Sequence, residues 1–242
     1  MKYMGSKRKI RKEIIDVMMS YRLNNEPFID MFCGGCHVVE MVDGIRIAND
    51  KNRYLIAMWE GLLEDRKRPY IIDKELYSRA RCEYNNGTNI EFDDFLIGWI
   101  GFMGSYNGRF FDGGYSGHDV NGRDYISENI RNTESQIHNL RGVMFNSLDY
   151  SELMLYKPCI IYCDIPYRDT KQYSISKDFD YDKFYSWCFA MRDFGHIVFV
   201  SEYSMPEGFE CIWSKEVTNS LNTTNTYKPI EKLYIVKGLL NG

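Results

Sequence analysis

The sequence predicts an α/β fold: an open, mainly parallel β-sheet with a mainly helical insertion near the middle of the chain. Two observations predict it, namely short apolar runs that each end in a turn or an acid, and a stretch of helical length between two of them. Such runs are typical of parallel strands buried on both faces, and strand–helix–strand alternation is typical of βαβ units. The chain has 242 residues, which is enough for one α/β domain that carries a smaller inserted subdomain.

The predicted strands are short, apolar and bounded by turn residues. Four of them are interpreted as parallel strands, with approximate bounds 28–32, 45–50, 159–164 and 196–201. A helix is predicted over 181–192, directly before the last of these. Near the end of the chain, 211–217 and 232–236 are predicted to pair, with a polar, Asn/Thr-rich mobile loop between them over 218–230.

The middle of the chain does not continue this alternation. From about 53 to 141 the pattern is mainly helical, with candidate helices near 52–64, 74–85, 91–104 and 123–140. A loop rich in glycine and aromatic residues, 104–122, interrupts them. We therefore predict a sheet domain made of 1–52 and 142–242, and an insertion over 53–141 that precedes a further strand at 143–145.

Composition excludes several classes of protein. Hydrophobic residues make up 44% of the chain and charged residues 26%, as in ordinary globular proteins. No apolar run is long enough for a membrane span, and residues 1–7 lack the apolar core of a secretory signal. Seven scattered cysteines fit reduced thiols in a cytoplasm. Cys33 and Cys36 form a C-x-x-C, but no second pair follows at metal spacing, so we expect no metal.

Net charge is −4, which is not typical of nucleic-acid-binding domains. The charge is nevertheless uneven, because six basic residues and no acid fall within the first twelve positions. This basic segment is either a surface that faces phosphates or the solvated start of a helix.

A glycine turn follows the first predicted strand. In Cys33-Gly34-Gly35 the glycines let the backbone approach a ligand, and a following helix would present free N–H groups. Asp50 ends the second predicted strand, where a carboxylate accepts hydrogen bonds from ribose hydroxyls. The pattern suits any adenosine-type ligand and does not separate a nicotinamide cofactor from S-adenosylmethionine.

Asp164-Ile165-Pro166-Tyr167 ends a buried strand and is the sharpest motif in the chain. An aromatic amine is a poor nucleophile because its lone pair is delocalised into the ring. A carboxylate (Asp164) and a backbone carbonyl (Ile165) that both accept from the amine would localise that lone pair. Pro166 would stiffen the turn, and Tyr167 would offer a face on which an extruded base can stack. This chemistry requires no metal.

These segments together resemble the Dam-like DNA adenine-N6 methyltransferases, over nearly the whole chain and in the family's order. Five matching segments carry the resemblance: Tyr3-Met4-Gly5-Ser6-Lys7, Asp30-Met31-Phe32-Cys33-Gly34-Gly35, Ala48-Asn49-Asp50, Asp164-Ile165-Pro166-Tyr167, and the spacing Tyr167-x-x-Thr170-x-x-Tyr173. The resemblance implies a Rossmann-like methyltransferase sheet with the insertion as target-recognition subdomain. It implies that Tyr3, Lys7, Asp50 and Asp164 contact S-adenosylmethionine, beside a glycine turn formed by Phe32, Cys33, Gly34 and Gly35.

The chain departs from the family's D-P-P-Y pattern at Ile165. The chemistry requires a carbonyl there, which isoleucine retains, whereas the stiffness of proline is lost. We therefore expect an active enzyme with equal or reduced turnover.

The loop around 102–112 resembles the family's target-recognition loop. Arg109 is expected to pair with a guanine edge, and Asn107 to contact bases or hold the loop. Tyr106 or Phe110 is expected to insert into the stack that a flipped adenine leaves. Beside Lys7, the basic segment and in particular Lys9 gain a role in gripping DNA phosphates.

Four alternatives remain open: N4-methylation of cytosine, methylation of a protein glutamine, a DNA-binding relative without activity, and, more weakly, a nicotinamide-dependent oxidoreductase. Placement of the recognition insert between Asp50 and Asp164 favours adenine. The expected partner is double-stranded DNA, with no membrane. We expect a monomer or weak dimer in the cytoplasm of a bacterial or phage-infected cell, serving restriction–modification or phage DNA modification.

Overall fold

A computed structural model describes residues 1–118, 122–168, 179–217 and 230–238. The elements within these ranges form one seven-stranded sheet with helices on both faces. The strands are β1 (Phe28–Asp30), β2 (Arg46–Asn49), β3 (Val143–Asn146), β4 (Ile160–Asp164), β5 (Ile197–Ser201), β6 (Phe209–Glu216) and β7 (Ile230–Val236). The helices are α1 (Arg11–Met19), α2 (Arg53–Leu63), α3 (Lys74–Asn86), α4 (Asp94–Gly104), α5 (Tyr125–Glu134), α6 (Ile137–Leu140) and α7 (Tyr181–Asp193).

The strand order is β3-β2-β1-β4-β5-β7-β6. Strands β1 to β5 are parallel, whereas β7 is antiparallel to both β5 and β6. Chain order reverses between β1 and β4, because β2 and β3 lie on one side of β1 and β5 lies beyond β4. In open α/β sheets such a reversal leaves a crevice at the carboxyl ends of the strands, where ligands bind. The predicted Rossmann-like α/β class is confirmed.

The parallel strands are buried on both faces, which explains their nearly continuous apolar sequence. In β4, Ile160 and Tyr162 join the hydrophobic cluster on one face, and Ile161 and Cys163 join the cluster on the other. The first cluster also contains residues of α1, α2 and α4, and the second contains residues of α7. The helices between β2 and β3 therefore share a core with the sheet, and their separate role in target recognition stays a prediction.

Local sequence accounts for the first residue of four helices. Helices α3, α4, α5 and α7 are capped by Asp73, Asp93, Asp124 and Asp180, because each carboxylate accepts a hydrogen bond from a free N–H group of the first turn.

The prediction of one helix over 123–140 is wrong. This stretch contains two helices, α5 and α6, which are separated at 135–136. The loop predicted over 218–230 falls outside the described residues, except for Ile230 in β7. No helix within the described ranges is long and apolar enough to cross a membrane.

Candidate active site

The glycine turn after β1 is closed on one side by the N-terminal segment. Gly34 has a φ of +44°, and a Cβ atom there would lie 2.5 Å from the Tyr3 ring. At Gly35 an added Cβ would lie 2.9 Å from the Cβ of Tyr3. Only glycine therefore permits this close approach between the turn and Tyr3. The first of the predicted segments is thus packed directly on the second.

Asp50 joins the glycine turn to the start of α2. One carboxylate oxygen accepts from the N–H of Gly34 at 3.1 Å, and the other accepts from the N–H of Asn52 at 2.9 Å. Burial raises the pKa of this carboxyl group. Neighbouring Asn49 is structural, since its amide donates to the carbonyl oxygens of Met31 and Leu148. Asn49 therefore fixes the backbone around the strand end, and the role of Asp50 in holding a ribose stays a prediction.

Asp164 ends β4 and forms an ion pair with Lys7. The two charged groups are 2.8 Å apart, and the Lys7 side chain is only 7% exposed. Burial alone would lower the Lys7 pKa, but the carboxylates of Asp164 and Glu231 outweigh burial and raise that pKa. Burial raises the pKa of Asp164, and Lys7 only partly opposes the shift. The site is thus a buried ion pair at the switch point of the sheet.

The turn after Asp164 is held by contacts that sequence analysis did not predict. The hydroxyl of Tyr167 donates to Glu231 at 2.7 Å, and its ring packs edge-to-face with Tyr203 at a centroid distance of 4.6 Å. Buried Glu202 accepts from the backbone N–H of Arg168 at 2.6 Å. The hydroxyl of Tyr181 donates to the carbonyl of Pro166 at 2.9 Å. These residues follow β5 or begin β7 and α7, and no motif connects them to Asp164.

Ile165 is buried at 2% exposure within the apolar cluster on the α7 side of the sheet. Among the described residues, no hydrogen bond ends on its carbonyl oxygen. The position therefore keeps an available acceptor beside the Asp164 carboxylate, while the side chain anchors the turn by apolar burial instead of ring stiffness.

Asp30 lies at the end of β1, close to both carboxylates already described. It is 2% exposed, and its Oδ1 atom has no hydrogen-bond partner among the described residues. Burial, reinforced by the charge of Asp164, raises its pKa well above the usual value. The crevice therefore collects three carboxylates, Asp30, Asp50 and Asp164, of which Asp164 is paired with the ammonium group of Lys7. Within the described chain, no His/Cys/Asp/Glu group is arranged to hold a metal ion.

The remaining predicted cofactor residues line the same turn. Phe32 is half-buried and packs against Tyr150, Phe179 and Phe184. Cys33 and Cys36 are free, buried thiols whose pKa values are raised by burial, which favours the neutral form. Thr170 and Tyr173 lie outside the described residues.

The loop after α4 divides into an outer and an inner part. Tyr106 is 47% exposed, and Asn107 and Arg109 are half-buried. Phe110 is 6% exposed and stacks on Phe102 at a centroid distance of 4.6 Å. Either Tyr106 or Phe110 is predicted to insert into DNA. Because the Phe110 ring is buried in the aromatic cluster, Tyr106 is the exposed ring of the two, and insertion stays a prediction.

The N-terminal segment connects this loop to the rest of the site. Gly108 has a φ of +66°, and an added Cβ would collide with the carbonyl oxygen of Lys2. Lys9, in contrast to Lys7, is exposed in a short 3-10 helix over Lys7–Lys9. Residues 2–7 therefore touch the loop, the glycine turn and the turn after β4.

The chain is similar to known proteins in two comparisons. The family model described as D12 class N6 adenine-specific DNA methyltransferase matches residues 3–227. A similar solved structure is described as "Crystal structure of SMU.472, a putative methyltransferase complexed with SAH", with 13% identity and a TM-score of 0.41. That match covers 97% of this chain but only 54% of the solved chain. None of the curated proteins compared with the chain matches it.

Proposed function

The chain belongs to the D12 class N6 adenine-specific DNA methyltransferase family, and from that premise we propose that it transfers the methyl group of S-adenosylmethionine to N6 of adenine in duplex DNA. One observation carries the proposal. A half-buried carboxylate, Asp164, stands at the switch point of the sheet and is paired at 2.8 Å with the buried ammonium group of Lys7. This is where an open α/β sheet binds its ligand and where an amine acceptor is needed.

The charges of the crevice suit S-adenosylmethionine. Burial raises the pKa values of the Asp30, Asp50 and Asp164 carboxyl groups. The charges of Asp164 and Asp50 raise the pKa of Asp30 further, and Lys7 opposes the shift at Asp164. A ligand that carries a sulfonium and an ammonium would relieve this repulsion. We propose that Asp50 accepts from the ribose, and that Tyr3, Lys7, Asp164 and the glycine turn (Phe32, Cys33, Gly34 and Gly35) complete the pocket. The bound cofactor supplies an electrophilic methyl group.

The chain's own groups would prepare the amine. The Asp164 carboxylate and the Ile165 carbonyl accept hydrogen bonds from its two N–H groups, which localises the nitrogen lone pair. A duplex hides this nitrogen within the base stack, so the adenine has to be extruded, and Pro166 and Tyr167 form the wall that receives it. Direct transfer from cofactor to amine needs no covalent enzyme intermediate.

DNA recognition is assigned to the loop after α4. Exposed Tyr106 is the aromatic residue placed to fill the vacated stack, and Arg109 and Asn107 stand beside it in the chain. Lys9 is exposed and available to phosphates. Contact between Gly108 and the N-terminal segment would connect base reading to the pocket.

The test is the identity of the product. Protein is incubated with unmethylated duplex DNA and S-adenosylmethionine labelled in the methyl group, and nucleosides from the digested DNA are analysed by mass spectrometry. Labelled N6-methyldeoxyadenosine is expected. N4-methyldeoxycytidine, label on protein alone, or DNA binding without label would each contradict the proposal. Oxidation or reduction of a nicotinamide cofactor by the protein, with no methyl transfer, would also contradict the proposal.

A further inference from the structure

Lys7 lies between two carboxylates that belong to different parts of the fold. Its ammonium is 2.8 Å from Asp164, at the end of β4, and 3.7 Å from Glu231, in β7. It also lies 4.6 Å from the centroid of the Tyr167 ring. Glu231 is bound in turn to the Tyr167 hydroxyl at 2.7 Å. The four side chains form one buried cluster with two acids and one base.

Glu231 is not part of any motif in the sequence, and the reaction chemistry does not place it near the amine. It reaches the cluster because β7 runs antiparallel beside β5, and β5 pairs with β4. The side chain of Glu231 is 15% exposed, so its charge is poorly hydrated and needs a partner. The Tyr167 hydroxyl supplies one hydrogen bond, and Lys7 is the nearby cation.

The position of the Lys7 ammonium in this structure would hinder the proposed reaction in two ways. While Lys7 binds Asp164 directly, one carboxylate oxygen is engaged by the ammonium group and attracts an incoming amine less strongly. The ammonium also stands over the Tyr167 ring, where an extruded base would stack. Both obstacles are removed if the ammonium group leaves Asp164 and the ring together.

We propose that Glu231 is a positioning residue that receives the Lys7 ammonium when the target amine binds Asp164. The ammonium already lies 3.7 Å from a carboxylate oxygen of Glu231. A movement of about 1 Å would bring it to the length of a charge-assisted hydrogen bond, so its charge is never left unpaired. Glu231 also accepts a hydrogen bond from the Tyr167 hydroxyl at 2.7 Å, so the ring keeps its position when the ammonium moves away from Asp164. This inference rests on the proposed amine-acceptor role of Asp164.

The proposal has a signature in the pH dependence. The groups that face Asp164 are Lys7 from the N-terminal segment, Asp30 after β1, Tyr162 in β4, Tyr167 after β4, Glu202 after β5, Glu231 in β7 and the Tyr3 hydroxyl. The Glu231 charge contributes to raising the pKa of Asp164, after burial. Asp164 accepts a hydrogen bond from the amine only when its carboxyl group is ionised. The decrease of kcat at low pH, the acid limb of the pH profile, therefore follows the pKa of Asp164. Without the Glu231 charge that pKa falls, and the acid limb moves to lower pH.

The experiment compares Glu231→Gln and Glu231→Asp with the unchanged protein in methyl transfer to duplex DNA between pH 5 and pH 9. Glutamine is nearly isosteric and can still accept from Tyr167, but it cannot neutralise Lys7. We expect Glu231→Gln to lower kcat about tenfold or more, which is a barrier change of about 1.4 kcal/mol. Its acid limb should move to lower pH, and Glu231→Asp, which keeps the charge, should recover part of the rate.

Binding and folding are measured separately. S-adenosylhomocysteine carries no sulfonium charge, so its Kd, measured by calorimetry, should change less than about threefold in Glu231→Gln if the pocket is intact. The matched control is Glu210→Gln, an exposed acid of β6, whose kcat and acid limb should equal those of the unchanged protein. A Glu231→Gln protein with unchanged kcat and an unmoved acid limb overturns the inference. Loss of S-adenosylhomocysteine binding in Glu231→Gln would show that Glu231 maintains the structure of the cofactor pocket, and this result would also overturn the inference. Absence of methyl transfer by the unchanged protein would instead refute the proposed function.

Discussion

The turn after β4 and the loop after α4 both combine aromatic rings with charged or amide side chains, but they bury opposite parts. After β4 the charges are inside: Lys7 is 7% exposed and paired with Asp164. After α4 the rings are inside: Phe110 and Phe111 are 6% and 1% exposed. The charged and amide side chains of that loop, Asn107, Arg109 and Asp112, remain at least partly accessible. Buried charge has a fixed position and a shifted pKa, which suits chemistry, whereas accessible polar groups suit the reading of a large partner.

The largest expected effect comes from removing the buried carboxylate. Asp164→Ala should reduce the methyl-transfer rate about 10²–10³-fold, roughly 2.7–4 kcal/mol in the barrier, because the amine loses its charged acceptor. Glu231 remains beside Lys7, so the protein should still fold. Rates are measured as label incorporated into duplex DNA, with exposed Asp43→Ala as control. If Asp164→Ala transfers methyl groups as fast as the control, Asp164 is not the acceptor of the target amine and the proposed site is wrong.

The inner and outer aromatic residues of the loop after α4 should respond in opposite ways. Phe110→Ala removes a buried ring and should lower the free energy of unfolding by about 3–5 kcal/mol. Tyr106→Ala removes an exposed ring and should change it by roughly 0.5 kcal/mol or less, while reducing methyl transfer to duplex DNA. Denaturant unfolding followed by circular dichroism distinguishes the two variants. Equal losses of stability would show that the division of the loop into two parts is mistaken.

Arg109→Ala tests the reading role of the loop. Loss of a bidentate contact to guanine costs about 1–3 kcal/mol of discrimination, so site choice should relax while the Kd for S-adenosylhomocysteine stays unchanged. Methylated adenines are mapped by sequencing DNA treated with each protein. Arg79→Ala, at an exposed basic position of α3, is the control. Unaltered site choice would remove Arg109 from the proposed interface.

Ile165→Pro should have the smallest effect. Turnover should be equal or higher, because proline keeps the carbonyl and adds stiffness. Ile165 is buried, however, so loss of apolar contact should cost about 1 kcal/mol of stability and lower Tm by roughly 2–4 °C. Turnover and thermal unfolding are measured on the same preparation. A fall in turnover of more than about tenfold would contradict the view that this position contributes only a carbonyl.

Prediction from sequence succeeded where local pattern decides structure. The apolar runs predicted the parallel strands to within a few residues, because both faces of such strands are buried and polar residues are excluded from them. Local pattern also predicted that Asp50 and Asp164 lie at the carboxyl ends of strands, and the structure places Asp50 directly after β2 and Asp164 at the end of β4. The break between α5 and α6 was missed because the helical pattern continues through 135–136.

Sequence alone determined the α/β class, the order of the strands along the chain and the motifs that the crevice would use. Only tertiary structure decided which of six neighbouring basic residues is buried, that Phe110 belongs to the core, and that Glu231 and Glu202 complete the turn after β4. The physical reason is that spacing along the chain records local hydrogen bonding and hydrophobic periodicity. Burial and charge pairing depend instead on strands and loops that are far apart in the chain and meet only in the folded sheet.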